Sequence, residues 1–81
     1  MLKIYGSMLC EDCVQCREEL DKAGVAYQYL DFSDELKNLK EFLSLRDSMD
    51  IFADAKVAGG IGIPCLVDDD GNVSLTWDKY L

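Results

Sequence analysis

Three cysteines at three-residue steps, Cys10, Cys13 and Cys16, stand directly behind a short apolar segment that ends in glycine. That junction constrains the fold more than any other feature of the chain. Leu2 to Gly6 reads as a strand. From about Cys13 to Ala23, apolar residues fall at Cys13, Cys16, Leu20 and Ala23, while Arg17, Glu18, Glu19, Asp21 and Lys22 take the other side. This spacing predicts an amphipathic helix, and Gly24 is suited to stop it. Val25 to Phe32 is rich in aromatic and branched residues and predicts a second strand. A strand–helix–strand order joins parallel strands by a right-handed crossover.

The remaining chain extends this unit. Ser33 and Asp34 are candidate N-caps for a second helix, with Leu36, Leu39, Phe42 and Leu43 as its core face and an end near Arg46–Ser48. A short helical turn is expected over Ile51–Ala58, closed by Gly59-Gly60, and Ile61 to Val67 is strand-like. Asp69-Asp70-Gly71-Asn72 signals a tight turn. Beyond it, Val73, Leu75 and Trp77 alternate with Ser74 and Thr76, so a half-buried strand should close an antiparallel hairpin. The expected order is β-α-β-α-β-β in one α/β domain spanning residues 1–81, a small mixed sheet with helices packed on it. No repeat or linker interrupts it. Asp68-Asp69-Asp70 lacks the spacing of a calcium loop and reads as a solvated turn.

Composition excludes several chemistries. Eighty-one residues bury only a thin core. With no histidine, the chain offers no imidazole base for Ser-His or Cys-His catalysis and no histidine ligand for zinc. Sixteen acidic against eight basic residues give a formal net charge of −8, which disfavours binding to nucleic acid or to an anionic membrane. No apolar run is long enough to span a bilayer, and Met1 to Gly6 lacks the regions of a signal peptide. The expected location is the cytoplasm, where the four cysteines read as reduced redox or metal groups rather than as a disulfide framework.

Cys10-Glu11-Asp12-Cys13-Val14-Gln15-Cys16 holds two overlapping C-x-x-C motifs. At the start of a helix, unpaired N–H groups and the positive helix end stabilise a thiolate on the first sulfur. The second sulfur lies one turn in, where it can attack a mixed disulfide formed on the first. The run Lys3-Ile4-Tyr5-Gly6-Ser7-Met8-Leu9-Cys10-Glu11-Asp12-Cys13 resembles the active-site entry of glutaredoxins. Ala23-Gly24-Val25-Ala26-Tyr27 is similar to the end of that family's first helix and its second strand, and Gly62-Ile63-Pro64 to its cis-proline loop. The resemblance covers nearly the whole chain. It implies a thioredoxin-like, glutaredoxin-type fold with a four-stranded sheet and a truncated C-terminal helix.

On that resemblance Cys10 is the attacking thiol of a thiol-disulfide oxidoreductase and Cys13 the resolving thiol. The spacings from Tyr5 to Cys10 and from Cys10 to Gly24 fit the family; counting from Cys13 would lengthen the loop and shorten the helix. Cys13-Val14-Gln15-Cys16 matches the motif of the redoxins that serve ribonucleotide reductase, but in a register displaced by three. The resemblance further implies a cis peptide at Pro64, the only proline, and substrate contacts from Ile63 and Pro64 and from Leu9, Glu11 and Asp12 beside the nucleophile. A trans proline opening an edge strand is the plainer alternative. Implied partners of the monomer are a disulfide-containing protein substrate and glutathione or a reductase as electron donor. No organic cofactor need be bound, with glutathione a candidate co-substrate.

The departures bear on substrate choice. Glu11 and Asp12 stand where glutaredoxins typically carry a proline and an aromatic residue. Their negative charge opposes a thiolate at Cys10 and predicts a more reducing pair, while also suiting the helix N-terminus. Ser7, Met8 and Leu9 supply none of the cation that usually precedes the motif, and the Gly-Gly followed by an acidic residue that the family carries after its fourth strand has no counterpart in Asp78-Lys79-Tyr80-Leu81. Cys16 and Cys65 are expected to be core residues. The competing readings gather the four thiols around zinc or an iron–sulfur cluster, or make the domain a redox sensor without turnover.

Overall fold

Leu2–Gly6 alternates between two faces, and this alternation organises the whole chain. The computed structural model describes residues 1–81. Strand β1 (Leu2–Gly6) runs parallel to β2 (Tyr27–Asp31), with Leu2 opposite Tyr27 and Gly6 opposite Asp31. On its other side it pairs antiparallel with β3 (Cys65–Val67), which in turn pairs antiparallel with β4 (Val73–Ser74). The mixed four-stranded sheet has the order β2-β1-β3-β4. Helix α1 (Glu11–Lys22) makes the crossover from β1 to β2.

Each face of the sheet has its own core. Leu2 and Ile4 of β1 pack with Cys16 and Leu20 of α1 and with Leu66, flanked by Trp77 and Tyr80. Tyr5 points to the opposite face and packs with Cys65, Phe42 and Phe52. Phe42 belongs to helix α2 (Leu36–Ser48), and Phe52 to a 3₁₀ turn (Asp50–Phe52) that runs into the short helix α3 (Ala53–Val57). Phe42 stacks on Phe32 with centroids 5.2 Å apart and meets Phe52 edge-on at 5.8 Å. Aromatic pairs of this geometry add about 0.5–1.5 kcal/mol beyond the area they bury.

The element order agrees with the sequence reading; the boundaries and one helix face do not. Helix α1 starts at Glu11 rather than near Cys13, because Cys10 itself is the N-cap. Val25 is not in β2: its N–H bonds the Leu20 carbonyl and finishes the helix end. Neither Ser33 nor Asp34 caps α2. The Ser33 hydroxyl is drawn 2.5 Å from that of Ser7, and the helix begins at Leu36 without a side-chain cap. Its buried face carries Asn38 and Phe42, with Leu45 beside them, while Leu36 (66%) and Leu43 (39%) are exposed. The packing of Phe42 between Phe32 and Phe52 turns this face inward, away from the expected leucine stripe, and Asn38, one turn before Phe42, is satisfied there by donating its side-chain amide to the Asp31 carbonyl at 3.1 Å.

Strand β3 covers only the end of the expected Ile61–Val67 run. Residues 61–64 form a loop, with Gly62 at φ +93°; the Ile63–Pro64 peptide is cis. β4 is two residues long because the Ser74 hydroxyl accepts from the Thr76 N–H (3.2 Å) and donates to the Thr76 carbonyl (2.8 Å), turning the chain out of the ladder. The chain ends in a single 3₁₀ turn, Asp78–Tyr80. In the hairpin turn, Asp68 accepts from the Asp70 and Asn72 N–H groups, both at 3.0 Å. No helix is long and apolar enough to cross a membrane.

Candidate active site

Cys10 ends the loop from β1 and begins α1. Its backbone is extended (φ −98°, ψ 122°), and its carbonyl accepts the first helical bond, from Val14 N–H at 3.1 Å. With no hydroxyl or carboxylate at this position, the sulfur serves as cap: Cys10 Sγ accepts from Cys13 N–H at 3.4 Å. The first-turn acids Glu11 and Asp12 complement the helix end. Ser7 braces the loop, accepting the Leu9 N–H on its hydroxyl (3.2 Å) and the Cys10 N–H on its carbonyl (3.1 Å). Cys10 is thus held half-exposed at the mouth of the helix.

One turn later, Cys13 is fully buried. Burial pushes its thiol up to about 12; Cys10 pushes the same way, while the Ser7 backbone and the Tyr29 hydroxyl pull it down. Gly6 makes this packing possible. A Cβ there would stand 2.8 Å from Cys13 Sγ and 2.9 Å from the Tyr29 hydroxyl, closer than any side chain tolerates.

Cys10 opens onto a cleft of about 770 Å³ whose walls include Leu9, Asp12, Phe32, Ile61, Ile63 and Leu75. Asp12 is the only charged side chain on it, and no cation lines it. The Ile63 N–H and carbonyl make no hydrogen bond within the chain. Arg46 of α2 fixes the loop that carries Ile63, donating to the Ile61 carbonyl at 2.9 Å and the Gly60 carbonyl at 3.0 Å. Gly62 lies against Phe52, so close that a Cβ would meet its ring at 2.7 Å.

The structure therefore brings Leu9, Cys10, Asp12 and Ile63 to one cleft. Pro64 is fully buried and does not line it, so its side chain is not open to a substrate there, while Leu9 borders it and is 90% exposed. Glu11 does not face it but lies on the outer side of α1 with Val14, Gln15 and Glu18. Sequence reasoning did not single out Phe32, Leu75, Arg46 or Tyr29. Only Gly62 carried a local signal, as part of Gly-Ile-Pro. Cys16 and Cys65 lie on opposite faces of the sheet, each buried among apolar side chains. Burial raises both thiols, to about 11 and about 12. No three Cys, Asp or Glu side chains form a group that could hold a metal ion.

No protein-family model matches the chain, and no solved structure gives a significant match. A protein of Haemophilus influenzae, described only as an uncharacterized protein, is 40% identical over 76 residues, covering 94% of this chain and 88% of the relative. At that identity and coverage, the chain belongs to the same family as the Haemophilus influenzae protein.

Proposed function

We propose that the protein is a glutaredoxin-like thiol-disulfide oxidoreductase of thioredoxin-type fold, acting through Cys10 and Cys13. The observation that carries this reading is the pairing of a half-exposed N-cap sulfur with a buried sulfur one turn deeper, across a cleft from the unpaired main chain of Ile63. Cys10 thiolate attacks one sulfur of a substrate disulfide, and the bond's electron pair leaves on the other sulfur, which takes a proton from water. Cys13, deprotonated, then attacks Cys10 Sγ. A Cys10–Cys13 disulfide forms, the second substrate thiol departs, and two electrons have passed to the substrate. A thiol reductant or a reductase restores the dithiol.

The free N–H and carbonyl of Ile63 suit an extended peptide laid across the cleft by strand-like hydrogen bonds. The apolar walls and the lack of any lining cation favour a polypeptide disulfide over the anionic glutathione. A disulfide-reduction assay coupled either to glutathione and its reductase or to thioredoxin reductase tests the reading. Cys10→Ser abolishes turnover with both, and Cys13→Ser accumulates a mixed disulfide with substrate. Turnover that survives Cys10→Ser overturns the proposal.

A further inference from the structure

Tyr29 has no role in the scheme above, yet it is placed against the resolving sulfur. It stands in β2 and joins the core beneath α1. Its hydroxyl is buried and makes no hydrogen bond of ordinary geometry. A hydroxyl taken out of water without a partner is costly, so such a group calls for an explanation. Cys13 Sγ borders the same small space, the one kept open by the missing Cβ of Gly6. The Arg17 guanidinium lies over the ring, 4.4 Å from its centroid, held there by its bonds to the Tyr27 hydroxyl (3.3 Å) and Met8 Sδ (3.1 Å).

The reduced protein gives this hydroxyl little to do, because a neutral thiol is a weak acceptor. The resolving step changes that. Cys13 must surrender its proton, on the side where Cys10 opens onto the cleft, and carry negative charge while buried, where a charged sulfur needs a donor. We infer that Tyr29, its ring covered by the Arg17 guanidinium, donates its orphaned hydroxyl proton as a hydrogen bond to Cys13 Sγ while that sulfur is a thiolate.

The charged and titratable groups facing this pair are few. Cys10 faces Cys13 from the helix start, Asp31 faces Tyr29 from β2, and Arg17 faces it from α1. Burial, followed by the charges of Cys13 and Asp31, raises the Tyr29 hydroxyl well above its ordinary value, so it keeps its proton and remains a donor. The proton of Cys13 leaves to water, the Sγ electron pair forms the bond to Cys10 Sγ, and the substrate sulfur departs with the pair of the broken bond. Tyr29 is unchanged at the end.

This inference rests on the dithiol reading, and one experiment separates the two. Reduced protein is mixed with one equivalent of a chromogenic nitrobenzoate disulfide. Attack by Cys10 releases one coloured thiolate, and attack by Cys13 on the resulting mixed disulfide releases the second. Tyr29→Phe is expected to leave the first release unchanged, to slow the second about tenfold at neutral pH, and to move its pH profile up by about one pH unit. Gly6→Ala, which keeps the hydroxyl but fills the space between it and the sulfur, is expected to slow the second release as well. A Tyr29→Phe profile that superimposes on the parent's overturns the inference and leaves the dithiol reading intact. A parent protein with no second release overturns the dithiol reading itself.

Discussion

Cys10 and Cys13 are the same residue three positions apart, and the fold makes them chemically different. The first sulfur is half-exposed and accepts an N–H at the helix start; the second is sealed beneath Gly6 and Tyr29. The C-x-x-C spacing made this division legible, because positions one turn apart share a helix face whose end meets solvent. The identity of the neighbours was not legible. Tyr29 reaches Cys13 only through the parallel pairing of β1 and β2, a contact that no local pattern encodes. Cys16 and Cys65 were read as core residues, and each packs within a separate apolar cluster. As spectators they are replaceable: Cys16→Ala and Cys65→Ala are each expected to keep turnover within about twofold in the reduction assay while costing about 1–2 kcal/mol in urea unfolding.

Among the elements, the loop through Gly60–Pro64 does most to shape the cleft. Its conformation is fixed by Arg46 on one side and by contact between Gly62 and Phe52 on the other. Gly62→Ala would add a Cβ 2.7 Å from the Phe52 ring at a φ of +93°, so both sterics and backbone oppose it. We expect a loss of about 1–3 kcal/mol in stability together with weaker substrate binding. The first release from the nitrobenzoate reagent should stay normal, since Cys10 sits on another element. Phe42→Ala tests the opposite face of the sheet. Removing a ring packed between Phe32 and Phe52 should cost about 3–5 kcal/mol in denaturant unfolding. The sequence pattern located α2 but not its rotation, because the face is set by the packing of Phe42 between Phe32 and Phe52, aromatic partners that lie on other elements, while Leu36 and Leu43 stay exposed. The ends of β3 and β4 escaped it for a similar reason: a glycine at positive φ and a serine hydroxyl end pairing that apolar alternation alone would continue.

The whole molecule carries a net charge of −8 and three buried thiols raised above their ordinary range. Both properties have measurable consequences. Each buried thiol stays protonated in the folded chain at a pH where the unfolded chain has released that proton. Stability from these groups is therefore complete below about pH 9 and falls as pH rises from there toward 11–12. Urea unfolding of the reduced protein should show this alkaline loss, each thiol adding up to about 1.4 kcal/mol per pH unit, and Cys65→Ala should make the slope shallower. The acidic surface and the cation-free cleft predict faster reduction of disulfide peptides flanked by lysine than of the same peptides flanked by glutamate. The difference should shrink as salt screens it, and equal rates at low salt would contradict the charge argument.

The roles of Cys10 and Cys13 are tested by mapping the disulfide that forms when the reduced protein is oxidised by one equivalent of a substrate disulfide. After alkylation of the remaining thiols and peptide mass analysis, the expected product is a Cys10–Cys13 bond, with Cys16 and Cys65 recovered as alkylated thiols. A Cys13–Cys16 bond, or oxidation that proceeds at the same rate after Cys10→Ser, would contradict those roles.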